Sequence, residues 1–196
     1  RKETNGMIPV CCCHNLIDDH RVCTMGQELI PVMRGPELTF VVVGRLEPGK
    51  GVLRLIECCG RLKQEGEQFA LWVIGDGEER EKLEKRADEL GLGANVRFLG
   101  AQSNPYAYIA KADMLVCASF KEGYSTVCVE ANMLGIPVLS TCVDGAREIV
   151  DDAQAGLGVG RDDDSLYTGL KQVIQNPEKI EKWKKIIKGT RKVFSY

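Results

Sequence analysis

The feature that most constrains the fold is an alternation, starting near Phe40, of apolar runs of strand length with longer charged segments of helical period. Runs such as VVV at 41–43 and LWVI at 71–74 contain no polar residue. Strands without polar positions are covered on both faces, as in parallel sheets. The alternation therefore predicts an α/β fold, a doubly wound parallel sheet of about six strands with helices on both faces.

The pattern also places the individual elements. Strands are predicted at 40–46, 69–75, 95–100, 114–119, 137–141 and 156–160. Helices are predicted at 51–65, 78–90, 105–111, 125–134, 146–150, 164–175 and 178–193. Ligands of such sheets bind beyond the carboxyl ends of the strands, so the loops that follow the strands are where a site is expected.

Composition narrows the classes of function. The net charge of −2 gives no sign of bulk binding to nucleic acid or to an anionic membrane surface. No apolar stretch approaches the roughly 20 residues of a membrane-spanning helix. The nine cysteines include no C-x-x-C pair, so we expect reduced, mostly buried thiols and a cytoplasmic protein.

The first loop of interest is VVVGRLEPGKG at 41–51, where an apolar run ends in glycines and two cations. It matches most of a P-loop, but Gly51 stands where Ser or Thr is needed to bind magnesium, and Pro48 lacks an N–H. The spacing of a dinucleotide-binding loop is absent as well. Arg45 and Lys50 near a strand end suit a diphosphate, with Gly44 allowing close approach to the backbone. Solvated surface cations are the alternative.

The second loop carries two carboxylates eight positions apart, Glu122 before a predicted helix and Glu130 within it. Ser125 and Thr126 fall where capping residues belong. The start of a helix offers free N–H groups and a positive dipole to an anion. This order of groups could hold a sugar, a diphosphate and a ribose in sequence.

The segment EGYSTVCVEANMLGIPV at 122–138 resembles the E-x7-E segment of family 4 glycosyltransferases. VVVGRLEPGKG and VIGDGEEREKLEKRADELGLGANVRFLG at 73–100 resemble other segments of that family, and the similarity runs from about 40 to 193. The family has two Rossmann-like domains facing each other, the GT-B arrangement. The chain resembles only the carboxyl-terminal, donor-binding domain, so we expect an interdomain linker at 1–38 and the donor domain at 39–196.

The resemblance implies roles for the loop residues. Arg45, Lys50 and Glu122 are the expected catalytic groups, the two cations holding the diphosphate of the donor and Glu122 binding hydroxyls of its sugar. Glu130 is expected to bind both ribose hydroxyls. The other expected donor-binding residues are Gly44, Gln102, Gly123, Tyr124, Ser125 and Thr126, with the base lying near 99–102.

The function implied is transfer of a sugar from a nucleotide diphosphate sugar, with retention of anomeric configuration and without a metal or other cofactor. The fragment is expected to be inactive without its acceptor domain, and membrane contact is expected only through that missing half, at the inner face of the membrane. A non-catalytic nucleotide-sugar binding module and a nucleotide-sugar epimerase remain alternatives. Asp162, Asp163 and Asp164 are expected to cap a helix rather than to bind metal.

Overall fold

A computed structural model describes residues 17–32, 34–141, 150 and 154–194, with side chains as far as residue 189. The strands are β1 (Leu38–Val43), β2 (Phe69–Ile74), β3 (Val96–Gly100), β4 (Met114–Cys117), β5 (Val138–Thr141) and β6 (Gly156–Val159). They form one sheet in the order β3-β2-β1-β4-β5-β6, and every neighbouring pair is parallel. The predicted fold class is confirmed.

Helices cover the sheet. They are α1 (Asp19–Met25), α2 (Val52–Gln64), α3 (Arg80–Glu89), α4 (Pro105–Lys111), α5 (Thr126–Met133), α6 (Asp163–Gln175) and α7 (Glu178–Phe194), with 3-10 turns at Pro48–Lys50 and Leu92–Ala94. The predicted helices are confirmed to within two residues at each end, except that the one at 146–150 lies, apart from Val150, outside the described residues. Within the described part of the chain, no helix is both long and apolar enough to cross a membrane.

The two faces of the sheet have separate apolar cores, which explains why the strands carry no polar alternation. Phe40 and Val42 of β1 join the cluster that contains α2 and α6, whereas Val41 joins the cluster that contains α4 and α5. Successive side chains of a strand point to opposite faces, so each residue of β1 is buried against one helical layer or the other.

The helix α1 was not predicted, and it lies inside the segment expected to be a linker. Its N-cap is Asp18, whose carboxylate accepts a hydrogen bond from the backbone N–H of Arg21 at 2.9 Å. Val22 is buried, and the carbonyl of Met25 accepts a hydrogen bond from the Asn104 side chain at 2.9 Å. At least this part of 1–38 therefore packs against the sheet domain, next to α4 and α5.

Two predicted strands differ from the structure by more than one residue at an end. β1 runs from Leu38 to Val43 rather than from 40 to 46, and β4 ends at Cys117 rather than at 119. The carbonyls of Ala118 and Ser119 accept hydrogen bonds from the side chain of Arg54, so these residues leave the strand ladder. The early end of β4 frees the following residues to form the loop that carries Glu122.

Candidate functional site

A cavity of about 400 Å³ opens at the carboxyl ends of β1 and β4. From β1 the chain adds β2 and β3 toward one edge of the sheet, and it then returns to add β4, β5 and β6 toward the other edge. The strand order therefore reverses between β1 and β4. Such a reversal is where open α/β sheets bind ligands. The predicted site residues that line the cavity are Gly44, Arg45, Lys50, Glu122, Tyr124, Ser125, Thr126 and Glu130.

Two predicted residues do not line this cavity, Gln102 and Gly123. The Gln102 amide nitrogen donates to the carbonyl of Leu99 at 2.5 Å, and its amide oxygen accepts from the hydroxyl of Tyr108 at 2.9 Å. Both ends of the amide are thus used within the domain, where they fix the loop after β3. Gly123 is exposed, and no other heavy atom lies within 4 Å of the position a Cβ would take.

The two loops at the cavity are packed against each other. Gly51 has φ +65°, and a Cβ there would lie 2.1 Å from the carbonyl oxygen of Ala118. The backbone N–H of Phe120 donates to the carbonyl of Gly49 at 3.0 Å. A left-handed conformation and this close approach both require glycine, so Gly51 sets the position of the preceding 3-10 turn and of Lys50.

Lys50 and Glu122 form an ion pair inside the cavity. The Lys50 ammonium donates to Oε1 of Glu122 at 2.7 Å, and the hydroxyl of Ser119 donates to the same oxygen, also at 2.7 Å. The Glu122 side chain is only 14% exposed, so the pair is partly shielded from water. Among the described residues no donor is recorded for the other oxygen, Oε2, which leaves it able to accept a bond from a ligand.

Arg45 lies at the rim of the cavity rather than inside it. Its side chain is 78% exposed, and its Nε is 3.9 Å from Oε2 of Glu47. An exposed pair at this distance is weak. The guanidinium is therefore available to an anion that enters the cavity from the solvent side.

Glu130, in α5, also lines the cavity but has a different electrostatic setting. Its carboxylate accepts a hydrogen bond from the hydroxyl of Tyr106 at 3.1 Å. Burial raises the pKa of Glu130, and the hydrogen bond from Tyr106 opposes that rise without cancelling it. Burial and the neighbouring Glu130 carboxylate also raise the pKa of Tyr106. No cation pairs with Glu130 within the described residues. A ligand hydroxyl that donates a hydrogen bond to this carboxylate would therefore not have to displace a cation.

The amino terminus of α5 faces the cavity between the two carboxylates. Ser125 occupies the N-cap position, as predicted, but its side chain makes no capping hydrogen bond. The first N–H groups of a helix have no partner within it, and here no cap satisfies them. They can therefore donate to an anion.

Comparison with known proteins assigns the family. Residues 31–192 match the family model described as "Glycosyl transferases group 1". The chain belongs to this glycosyltransferase family. A relative from Campylobacter jejuni, N-acetylgalactosamine-N,N'-diacetylbacillosaminyl-diphospho-undecaprenol 4-alpha-N-acetylgalactosaminyltransferase, is 32% identical over 92% of the chain and 48% of the relative.

Solved structures agree with the fold. The crystal structure of WaaG, a glycosyltransferase involved in lipopolysaccharide biosynthesis, matches 80% of this chain and 43% of its own with a TM-score of 0.71 and 26% identity. Anabaena Alr3699/HepE in complex with UDP matches 78% of this chain and 43% of its own, with a TM-score of 0.69 and 23% identity. The chain spans less than half the length of each of these three proteins.

Sequence reasoning missed a buried arginine that supports the site of this glycosyltransferase domain. Arg54 donates from Nε to the carbonyl of Ala118 at 2.8 Å and from a terminal nitrogen to that of Ser119 at 3.0 Å. Its guanidinium also lies 3.9 Å from the centroid of the Phe120 ring. Arg54 thus holds the backbone directly ahead of Glu122. Its place between two leucines in an amphipathic helix was a signal that it faces inward.

Ser119 and Tyr106 were also missed. Each donates a hydrogen bond to one of the two carboxylates of the cavity, Ser119 to Glu122 and Tyr106 to Glu130. Ser119 is the second residue after β4 and precedes Glu122 by three residues, which was a usable signal. Tyr106 belongs to α4, and nothing in its local sequence relates it to α5.

The three consecutive aspartates cap a helix, as predicted. Asp162 is the N-cap of α6, and its carboxylate accepts hydrogen bonds from the N–H of Ser165 at 2.8 Å and from its hydroxyl at 2.7 Å. These bonds lower the pKa of Asp162, the one from the Ser165 hydroxyl most. Across the described ranges, no three side chains of the metal-ligating types come together.

Proposed function

We propose that the chain is the nucleotide-sugar donor-binding, carboxyl-terminal domain of a retaining glycosyltransferase of the family 4 type, with GT-B architecture and an acceptor domain that lies outside the chain. The observation that supports this most is the single cavity that brings together two cations, a helix amino terminus and two carboxylates. The cations and the helix terminus suit the diphosphate of a nucleotide diphosphate sugar, and the two carboxylates suit its transferred sugar and its ribose.

The diphosphate is assigned to the space between the cations and the start of α5. Lys50 and Arg45 supply positive charge, and the N–H groups at Thr126 and Val127 supply donors. As the nucleoside diphosphate leaves, negative charge grows on its oxygens, and fixed donors stabilise that charge. In the proposed reaction these groups take the place that a metal ion has in other transferases.

The carbohydrates are assigned to the carboxylates on either side. Oε2 of Glu122 is placed to accept hydrogen bonds from hydroxyls of the transferred sugar. Glu130 lies five residues beyond the N-cap, roughly 7 Å along the helix axis, and its carboxylate is expected to bind both ribose hydroxyls. A carboxylate can accept two such bonds at once.

Binding is tested by isothermal titration calorimetry with UDP, GDP and their sugars. UDP is the first ligand to try because HepE, which has the same fold, was solved with UDP. We expect Lys50→Ala and Glu130→Ala each to weaken binding by roughly 1.5–3 kcal/mol, as for the loss of a charge-assisted hydrogen bond. The matched control is Lys121→Ala, which removes an exposed cation of the same loop that does not line the cavity.

Absence of saturable binding by any nucleotide diphosphate, or equal effects of the Lys121 and Lys50 variants, would refute the assignment. Catalysis is tested with the full-length protein, which is expected to transfer sugar in the presence of EDTA. Donor binding without transfer by the full-length protein would identify a binding module instead of an enzyme.

A further inference from the structure

Ser119 donates a hydrogen bond to Glu122 from a buried position. Its hydroxyl oxygen lies 2.7 Å from Oε1 of Glu122. An ionised carboxylate only accepts hydrogen bonds, so the proton of this bond comes from the serine. The thiol of Cys117 donates to the same hydroxyl over 3.8 Å, and Ser119 is only 3% exposed. The serine hydroxyl is therefore committed to Glu122 and is shielded from water.

The backbone of Ser119 is held from two sides. Thr141, the last residue of β5, donates from its hydroxyl to the carbonyl of Ser119 at 2.7 Å. A terminal nitrogen of Arg54 in α2 donates to the same carbonyl at 3.0 Å. Both of these side chains are buried. A single rotatable bond separates the oxygen of a serine side chain from its backbone, so a fixed backbone leaves this donor little freedom to move.

Lys50 donates to the same carboxylate oxygen but is held less firmly. Its ammonium is 2.7 Å from Oε1 of Glu122, and its side chain is 32% exposed. The lysine side chain is long and flexible, whereas that of Ser119 is short and buried. An anion that enters the cavity can therefore draw Lys50 away from Glu122 while the bond from Ser119 stays in place.

The bond from Ser119 matters more once Lys50 has moved. A shielded carboxylate that lacks hydrogen-bond donors raises the free energy of the protein. As long as Lys50 contacts Oε1, Glu122 has a charged donor with or without the serine hydroxyl. After Lys50 has turned to a ligand, Ser119 is the one donor to Glu122 that remains among the described residues.

We propose that Ser119 is a positioning residue that acts on Lys50 through Glu122. It keeps this carboxylate hydrogen-bonded and so allows Lys50 to leave the ion pair and to bind the diphosphate. Thr141 and Arg54 assist by fixing the backbone of Ser119. The inference rests on the proposed function, in which Lys50 holds the diphosphate of the donor. Without the serine hydroxyl, the transfer of Lys50 from Glu122 to the diphosphate costs more, so binding is expected to weaken.

Calorimetric titration of Ser119→Ala with UDP and GDP tests this inference. We expect the variant to bind the nucleoside diphosphate that the wild type binds at least about fivefold more weakly. Ser140→Ala is the matched control, because Ser140 is also buried but its hydroxyl donates to the carbonyl of Thr141 at 2.8 Å. Equal affinities of Ser119→Ala and the wild type, or equal losses in the two serine variants, would overturn the inference alone. A wild type that binds neither nucleotide would refute the proposed function, and this inference with it.

A double-mutant cycle separates action through Glu122 from a general disturbance of the loop. In the Glu122→Ala background no carboxylate holds Lys50, so Ser119→Ala is expected to change the affinity by less than about twofold. The same loss of affinity in both backgrounds would overturn the inference. Should Ser119→Ala fail to fold, Thr141→Val takes its place, and Thr141→Ser, which keeps the hydroxyl, is its control. Equal nucleotide affinities of these two Thr141 variants would then overturn the inference.

Discussion

Replacement of Glu130 by glutamine is expected to change stability and ligand binding in opposite directions. The carboxylate is half-buried, accepts one hydrogen bond from Tyr106, and has no cationic partner among the described residues. Glutamine has nearly the same shape, and its amide oxygen can keep the bond from Tyr106. The change therefore removes a charge from a site that disfavours charge, with little effect on packing.

The effect on stability depends on pH in a defined way. Burial raises the pKa of Glu130 above its ordinary value of 4.5 in the folded protein. A raised pKa means that the folded state favours the protonated acid, so the wild type is most stable below the ordinary value and loses stability as the pH rises through the folded value. Glu130→Gln does not titrate, so at pH 7 it is expected to be more stable than the wild type. Solvent screening at this partly exposed site limits the gain to less than about 1 kcal/mol.

Glu130→Gln is expected to weaken nucleotide binding although it raises stability. An amide carries no charge and offers a single acceptor oxygen, so the variant is expected to bind UDP more weakly by roughly 1.5–3 kcal/mol, about 10- to 150-fold in Kd. Urea unfolding at pH 7 and near pH 4 measures the first effect, and calorimetry measures the second. A variant that is less stable than the wild type at pH 7, or that binds UDP equally well, would refute the reasoning. Tyr106→Phe is the companion change, since it removes the one hydrogen-bond donor to Glu130 found among the described residues and should raise the pKa of Glu130 further.

Three glycine and arginine changes test how the loops are built. Gly51→Ala is expected to lower the free energy of unfolding, measured by urea titration, by more than about 2 kcal/mol. The reason is that φ is +65° and the added Cβ would lie 2.1 Å from the Ala118 carbonyl oxygen. Gly49→Ala is the control, because no atom lies within 4 Å of its added Cβ. Arg54→Met removes the side-chain donors to the buried carbonyl of Ala118, whereas the carbonyl of Ser119 keeps the hydroxyl of Thr141 at 2.7 Å. The change should cost roughly 1–3 kcal/mol in the same assay, and an unchanged midpoint would contradict this role of the guanidinium. Gly44→Ala should leave stability within about 0.5 kcal/mol, since the nearest atom to the added Cβ is 4.0 Å away. The same change should weaken UDP binding, and calorimetry that shows full affinity would mean that no ligand approaches this glycine.

The sheet and most helices could be predicted because burial on both faces leaves a direct mark on the sequence. Runs such as the one at 41–43 have no polar residue, and the structure places their side chains in two cores, one on each face. The site loops could be located for a related reason. Parallel strands bring their carboxyl ends to one edge, so the residues after β1 and β4 were expected at the same edge of the sheet.

The partners of the site residues could not be predicted. Lys50 and Glu122 are 72 positions apart, and the alternation of strands and helices does not specify that their side chains meet. The bond between Tyr106 and Glu130 depends on how α4 and α5 pack, which is likewise a tertiary property. The helix α1 is short and begins in a segment of mixed composition, where a single aspartate cap is too weak a local signal.

The two carboxylates of the cavity differ in a way that bears on how a donor would bind. Glu130 has no cation beside it among the described residues, whereas Glu122 already holds Lys50 and Ser119 on a single oxygen. In the proposed complex the diphosphate competes with Glu122 for Lys50. A buried carboxylate that loses a charged hydrogen-bond donor raises the free energy of the complex unless another hydrogen-bond donor replaces it. A hydroxyl of the transferred sugar can be that donor, but a nucleoside diphosphate alone cannot supply it. If the proposed complex forms, the ion pair is expected to link recognition of the diphosphate to recognition of the sugar, and to favour the intact nucleotide sugar over the nucleoside diphosphate that remains after transfer.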